Sequence, residues 1–297
     1  MTAPRIALVT AKAARDLDDD LAPLESALKN KGADVVRAEW DDADAPWGTF
    51  DIALLRSTWD YSQRLPEFLD WVTRVSALTH LLNPLAVVRW NTDKHYLHDL
   101  ATAGVTTVPS VFIEPDHNPG DGVRGFLATH ANAEFVVKPS VGAGSRDAQR
   151  YNRHQVGTSI QHAQRLLDDR RSVLLQPYFD RVDEHGETAL IFFGGKFSHA
   201  IRKGPLLRPN EGPTRALFAA EHISARQPGR DDIELAEKTL SAIPFDKPLL
   251  YARVDLIQDP NGAPALLELE LTEPSLFFAF DAGAADRFAK AILSARR

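Results

Sequence analysis

The feature that most constrains the fold is a pair of alternating runs, YARVDLI at 251–257 and LLELELTEPSLFF at 266–278, flanking an Asn-Gly dipeptide. Side chains in a strand alternate with period two. Leu267, Leu269 and Leu271 are therefore expected to face a core, and Glu268 and Glu270 the opposite side. Asn261-Gly262 reads as a two-residue hairpin turn. Counting back from it sets Asp255 opposite Glu268 and Arg253 opposite Glu270, each pair with Cβ atoms about 5 Å apart on one face. Pro260 and Pro264 cannot donate to the ladder, so the register has room to slip. Like charges opposed across a strand pair destabilise it, and one arginine offsets only part of this. A hard divalent cation such as Mg²⁺, which takes carboxylate oxygens together with substrate phosphates, would offset the rest. The alternative is a solvated hairpin face with an Arg253–Glu270 ion pair, and this segment alone leaves both open.

The chain of 297 residues is long enough for two or three domains. Its net charge of −7, without a dense basic run, argues against a nucleic-acid partner. The absence of cysteine excludes disulfides, thiolate zinc sites and cysteine nucleophiles. Residues 5–10, RIALVT, are too short for a signal-peptide core, and no apolar run reaches membrane-spanning length, so a cytoplasmic location with no membrane partner is expected.

Strand and helix patterns alternate through about residue 88: RIALVT, DDDLAPLESALKNKG, DVVRAEW, FDIALLRSTWDY and RLPEFLDWVTRVSAL. This predicts a small parallel α/β unit. A helix is predicted over NTDKHYLHDLATAG, capped by Asn91 or Thr92 and stopped at Gly104. TTVPSVFI, FVVKPS and SVLLQPYF read as strands, with a helix over QVGTSIQHAQRLLDD, and PDHNPGDG reads as a turn-rich loop. From TALIFFGGKFSHAIRKGP onward the pattern is of hairpins, with a Gly-Gly turn, and AGAADRFAKAILSARR reads as a terminal helix.

Four further stretches carry candidate chemistry. In FVVKPSVGAGSRD a strand ends in Lys138 and a glycine loop follows; Gly142 and Gly144 would let backbone N–H groups approach a phosphate. The spacing is not that of a Walker A loop. QPYFDRVDEHGE leaves a buried strand with free backbone groups that could read an adenine edge. Gln176 would add an amide there, and Glu187 or Asp183 could take ribose hydroxyls; a plain connection is the alternative. SHAIRKGP places Arg202 and Lys203 at a strand end, where arginine suits forked recognition of phosphate or carboxylate. KHYLHD sets His95 and His98 one turn apart, but no third zinc ligand stands out.

The order of these elements resembles the ATP-grasp fold of carboxylate–amine ligases such as D-Ala–D-Ala ligase and glutathione synthetase. WNTDK, VVKPSVGAGS, YARVDL and LELELTEPSLF are also similar to a narrower branch, the cycloserine synthetase (O-ureido-serine cyclo-ligase) type. The resemblance implies an α/β fold with α+β character in its C-terminal half. Its units are an N-terminal parallel α/β domain at 1–88, a central lid subdomain at 89–178 and a C-terminal antiparallel-sheet domain at 179–297. It implies ATP and Mg²⁺, with Mn²⁺ as a substitute. Lys94 and Lys138 match lysines on the ATP phosphates, and the loop from Ser140 through Gly142 and Gly144 to Ser145 matches the flap over them. Gln176, Tyr178 and Phe179 match the adenine linker, the last two through backbone; Glu187 matches the ribose carboxylate, with Asp183 beside it. Asp255 and Glu268, with Glu270, match the metal ligands, and Arg253 and Arg202 match cations at the transferring phosphoryl group.

The common pattern has asparagine two residues after the metal glutamate, then Pro-Gly; here Glu270 and TEPS stand in those places. The substrate end is therefore the part least fixed by resemblance. Candidates there are Arg56, Ser57, Trp59 and Tyr61, just past a strand's carboxyl end, with Lys203, Glu273 and Ser275. The implied reaction is ATP-dependent ligation of a small amino-acid-like carboxylate through an acyl phosphate, with intramolecular ring closure as its specific form. A two-substrate amide ligase and a non-catalytic nucleotide-binding module are the alternatives, and a homo-oligomer is left open.

Overall fold

The computed structural model describes residues 3–209, 211–213, 222–245 and 248–295. The first sheet is wholly parallel: β1 (Arg5–Thr10), β2 (Asp34–Glu39), β3 (Ile52–Ser57) and β4 (His80–Leu82), in the order β2-β1-β3-β4. Helices α1 (Leu21–Lys29) and α2 (Leu65–Ser76) cover it. Both faces are buried, which is why β1 and β3 read as continuous apolar runs. Ile6 and Leu8 join one core with α1, while Ala7 and Val9 join another with Trp40, Trp47, Trp59 and Trp71.

Where one helix was expected from Asn91, α3 (Leu85–Asn91) ends and α4 (Tyr96–Thr102) begins after a break. Asn91 is not a cap. Its side chain donates to Leu269 O (2.7 Å) and accepts from Leu271 N (2.7 Å), so it is drawn to the edge of a distant strand. The break leaves Lys94 between the helices.

The second sheet holds β5 (Val111–Ile113), β6 (Glu134–Pro139), β7 (Gln149–Asn152) and β8 (Val173–Pro177), antiparallel in the order β5-β8-β6-β7, with α5 (Pro119–Thr129) and α6 (Val156–Asp168) packed on it. The expected loop at PDHNPGDG is half helix. Asn118 Oδ1 accepts from Gly120 N (2.8 Å) and Asp121 N (3.1 Å), and Pro119 occupies the first helical position. These are start signals of a helix as much as of a turn.

After α7 (Val182–His185) comes the third sheet: β9 (Glu187–Phe193), β10 (Lys196–Lys203), β11 (Ile223–Arg226), then α8 (Arg230–Ser241), β12 (Tyr251–Gln258) and β13 (Pro264–Glu270), antiparallel in the order β11-β10-β9-β12-β13. Gly194 and Gly195, at φ 57° and 75°, make the expected tight turn. The terminal helix α9 (Ala284–Ser294) puts Phe288 and Ile292 into the same core as Ile6, Leu8, Ile191 and Phe193, which ties the first sheet to the third.

The register that matters is the expected one: Asp255 faces Glu268 and Arg253 faces Glu270. The turn is not. The strands stop at Gln258 and Pro264, and Asp259 Oδ1 organises the connection by accepting from Asn261 N (2.8 Å) and Ala263 N (2.9 Å). The register shifts by one beyond Asp255, where Leu256 faces Leu266. Leu267 is therefore the extra residue of a bulge. It turns to the acidic face, while Leu266, Leu269 and Leu271 enter the core. Leu266 gives its own N–H to Thr106 O (2.9 Å) and its carbonyl to Val108 N (2.9 Å), because β13 is an edge strand with a second neighbour there.

Gly186 tests how tightly β9 enters the sheet. It sits at φ 69°, and a Cβ there would lie 2.3 Å from Lys203 O. Gly186→Ala should therefore cost more than the ~1–2 kcal/mol of left-handed strain alone. Gly125→Ala, in the interior of α5 with nothing within 4 Å, should gain about 0.5–1 kcal/mol. Urea unfolding of both variants measures the contrast.

Candidate active site

One pocket opens between the second and third sheets, with the first sheet's Trp59 and Tyr61 at one end. Its centre is a row of opposite charges. Asp255 accepts from Arg253 Nε (2.9 Å) and Nη2 (2.9 Å) and from Lys203 Nζ (2.6 Å). Lys203 also pairs with Glu187 (2.9 Å), its cross-strand neighbour, and Arg253 pairs with Glu270. Lys94 Nζ bridges Glu268 (3.0 Å) and Gly142 O (2.9 Å). Burial pushes Asp255 up, but Arg253 and Lys203 outweigh it and hold the group down at about 2. Burial likewise opposes ionisation of Glu268, and Lys94 and Lys138 reverse that to a net lowering. Glu270 goes the other way: burial, with Asp255 and Glu268 beside it, raises it to about 7 against the pull of Arg253.

Lys138 lines the same space, and burial lowers it to about 8. Of the loop that follows, Gly142, Gly144 and Ser145 line the pocket. Gly144 and Ser145 have positive φ, 61° and 57°, the backbone form that turns successive N–H groups to one side. Ser140 is buried instead, its N–H on Ser172 O (2.8 Å) and its carbonyl on Lys94 N (3.0 Å).

The opposite end of the pocket is apolar. Tyr178, Phe179, Val136, Ile257, Leu207 and Leu267 form a slot, with Gln176 beside it and pinned by Ser110 (3.0 Å). Tyr178 commits its N–H to Glu134 O (2.9 Å). Arg150 stacks over the Tyr178 ring at 3.6 Å and pairs with Glu134 and Asp183. No sequence pattern marked Arg150 or Leu207.

Several expected site residues sit elsewhere. Arg202 is on the reverse face of β10, donating to His185 O (2.8 Å) and Glu184 O (2.8 Å), because alternation gives the pocket to Lys203. Asp183 is held by Arg150 and by the Tyr178 hydroxyl (2.6 Å) and does not line the pocket, whereas Glu187 does. Arg56 is 0% exposed and donates to Pro274 O (2.8 Å); Ser57 bonds the Thr10 hydroxyl (2.9 Å). Neither lines the pocket, since both lie within the packed end of β3. Trp59, Tyr61, Glu273 and Ser275 do line it.

The Trp59–Tyr61 end of the pocket depends on a backbone clamp that sequence patterns did not mark. Trp59 Nε1 donates to Glu273 O (3.0 Å), Arg56 to Pro274 O, and Arg253 to Ser275 O (3.2 Å). The Asp20 carboxylate accepts from Leu276 N (2.6 Å), Phe277 N (2.9 Å) and Phe278 N (2.9 Å). Phe277 is thereby held at φ 54°, an uncommon conformation for a large residue, and it lines the pocket.

Comparison with known proteins decides the family. The chain is 40% identical over 292 residues to the cycloserine biosynthesis protein DcsG of Streptomyces lavendulae, covering 97% of each. The chain belongs to the DcsG family. The family model for the N-terminal domain of D-cycloserine synthetase DcsG matches residues 6–83. The crystal structure of D-cycloserine synthetase DcsG superposes with a TM-score of 0.93 at 39% identity, over 99% of this chain and 100% of that one. D-alanine–D-alanine ligase from Bacillus anthracis, complexed with ATP, superposes at a TM-score of 0.70 and 16% identity over 98% and 97% of the two chains. This DcsG-family chain thus has the ATP-grasp ligase fold. Among the described residues no helix is long and apolar enough to cross a membrane.

Two outcomes are expected from this geometry. A Lys138 that holds phosphate oxygens must be in its ammonium form, so ADP affinity should then fall as pH rises through about 8. Lys138→Met should weaken ADP binding at pH 7 by on the order of 10–100-fold and remove that step. Calorimetry across pH reads both. Asp20→Ala leaves three buried N–H groups without their acceptor. It should lower stability by about 1–3 kcal/mol or more in denaturant titration.

Proposed function

We propose that this chain is an ATP-dependent carbon–nitrogen ligase that closes O-ureido-serine into cycloserine. The observation that carries the reading is that one pocket joins the cation-rich centre to the Trp59–Tyr61 wall. A carboxylate held there lies beside any phosphate bound by the lysines. Family membership supplies the substrate, since the relatives are named for cycloserine synthesis.

The apolar slot of Tyr178, Phe179, Ile257 and Leu267 suits a purine, with Gln176 at its edge and Glu187 for the ribose. Tyr178 has its carbonyl, and Phe179 its N–H, for the base edge. Lys94, Lys138 and Lys203 serve phosphate oxygens, as compact charges do. The donor set fits Mg²⁺: Asp255, Glu268 and Glu270 are all oxygen ligands on one face of β12 and β13. Mg²⁺ needs only one or two carboxylates when phosphates complete its shell. Among the described residues no three acidic or histidine side chains form a metal cage by themselves. When bound, the ion would neutralise charge on the transferring phosphoryl group.

In the reaction, a substrate carboxylate oxygen takes the γ-phosphoryl group and ADP leaves. The nitrogen joined to the side-chain oxygen then attacks the acyl carbon, expelling phosphate and losing its proton. A five-membered ring forms, and water releases the carbamoyl group as CO₂ and ammonia. Arg253 and Lys203 stabilise charge at the phosphoryl group, as positioned cations do. Intramolecular attack has effective molarities of about 10⁵ M or more when the atoms are aligned, which is what a rigid substrate wall provides. No protein nucleophile is required.

Mass spectrometry tests the reading with enzyme, ATP, Mg²⁺ and O-ureido-serine labelled with heavy oxygen in its carboxylate. A cyclic product with label in the released phosphate is expected. ADP release only upon addition of a separate amine would identify a two-substrate ligase instead.

A further inference from the structure

We propose that the Glu273 carboxylate anchors a positively charged group of the substrate, the α-ammonium of an amino acid, with Tyr61 and Trp59 as the wall beside it. The inference deepens the cyclo-ligase reading and rests on it for the identity of that amino acid.

The argument starts from the pairing of charges in the pocket. Asp255 has Arg253 and Lys203, Glu187 has Lys203, Glu270 has Arg253 and Glu268 has Lys94. Glu273 lines the same pocket at 7% exposure, yet among the described residues its carboxyl has neither an ion-pair nor a hydrogen-bond partner. Buried carboxylates are ordinarily paired, and an arrangement that pairs four and leaves the fifth implies that its partner arrives from outside. Burial, with Glu270 nearby, pushes Glu273 up to about 8, as befits a carboxyl lacking the cation its neighbours have.

Position argues the same way. Glu273 follows the metal-side Glu270 by one short turn of chain, and its charge is the foremost one acting on the buried Tyr61 hydroxyl. In an α-amino acid the ammonium is one carbon removed from the carboxylate. An ammonium anchor must therefore lie next to the phosphoryl-transfer centre, on its substrate side, which is where Glu273 stands. An aromatic wall adds a favourable face for a cation. The other acidic candidates at this end are committed: Asp20 holds three backbone N–H groups, and Asp18 does not line the pocket. The Glu273 backbone is fixed by Trp59, so the side chain starts from a set position beside the aromatic wall.

The test compares ADP release with O-ureido-serine and with its deamino counterpart, for the wild-type enzyme, Glu273→Gln and Glu273→Asp. Losing one partner of a buried charge pair costs on the order of 100-fold or more in affinity. Glu273→Gln should therefore raise KM for O-ureido-serine by about that factor, leave KM for ATP unchanged and abolish the preference for the ammonium-bearing acid. Glu273→Asp should restore part of it. A preference that survives in Glu273→Gln, or a loss shared equally by both compounds, overturns the proposal. If the wild-type enzyme releases no ADP with O-ureido-serine, the cyclo-ligase reading fails on its own. The anchor is then read from calorimetry of D-serine against 3-hydroxypropanoate with ADP and Mg²⁺ present. A wild-type preference for D-serine that Glu273→Gln removes supports the anchor, and equal binding by the wild-type enzyme overturns it.

Discussion

The ionised, 1% exposed carboxylate of Asp255 is the interaction on which the rest of the site depends. Removing a carboxylate from water is unfavourable by several kcal/mol unless opposite charge and hydrogen bonds replace the water. Arg253 and Lys203 do so, but each is itself buried and needs its own second carboxylate. The consequence is a chain of alternating charge, Glu187–Lys203–Asp255–Arg253–Glu270, crossing β10, β9, β12 and β13. Such a chain is an unpromising way to gain stability, since replacing buried ion pairs by apolar groups is often neutral or favourable. It is a good way to hold several charges at fixed points with little reorganisation when a polyanion enters, which is what phosphoryl transfer asks of a protein.

Lysines stand at most of the points where phosphate is expected. Lys94 and Lys203 each bridge two acceptors, so both are aimed before any ligand binds. A metal ion taking the carboxylates would release the lysines toward phosphate, and the flexible lysine stem permits that exchange without moving the strand. Arg253 is different. Its planar fork is committed to Asp255, and a further nitrogen reaches Ser275 O, so it links the Asp255 carboxylate to the 273–278 segment.

How much of this was legible in the sequence follows from which patterns are local. Alternation and a Gly-Gly turn are local signals, and the third sheet followed them. The pairing of Asp255 with Glu268 also followed, although the Asn-Gly turn used to derive it is not the turn formed. The bulge at Leu267 restores the register further along, and the segment at 106–108 that pairs with the adjoining Leu266 lies far away in sequence. Period two distinguishes Arg202 from Lys203 only once the pocket face of β10 is known, and nothing within SHAIRKGP says which face that is. Arg56 and Trp59 read alike as strand-end candidates. The structure separates them, because the first is swallowed by the packed end of β3 while the second reaches the pocket edge. The clamp by Asp20 spans more than two hundred residues and leaves no trace in either segment.

The two ends of the pocket are built by different means. The Tyr178–Phe179 end is apolar surface plus charge, which tolerates small displacements because neither interaction is sharply directional. The Trp59–Tyr61 end is hydrogen bonding between Asp20, Arg56, Trp59 and Arg253 and consecutive backbone groups of 273–278, Asp20 accepting and the others donating, which fixes both position and direction. The proposed ring closure would make use of that difference. Phosphoryl transfer needs charge in roughly the right place, but cyclisation needs one chain of the substrate folded so that its nitrogen meets its own acyl carbon. A wall held through its backbone can impose that fold while leaving side chains such as Glu273 and Tyr61 to read the substrate's charge. Where the common pattern has asparagine and then Pro-Gly, this chain has Glu270 and TEPS. A glycine after the proline would supply bare backbone at this point, whereas the clamp here already holds Pro274, Ser275 and the left-handed Phe277 through groups outside the loop.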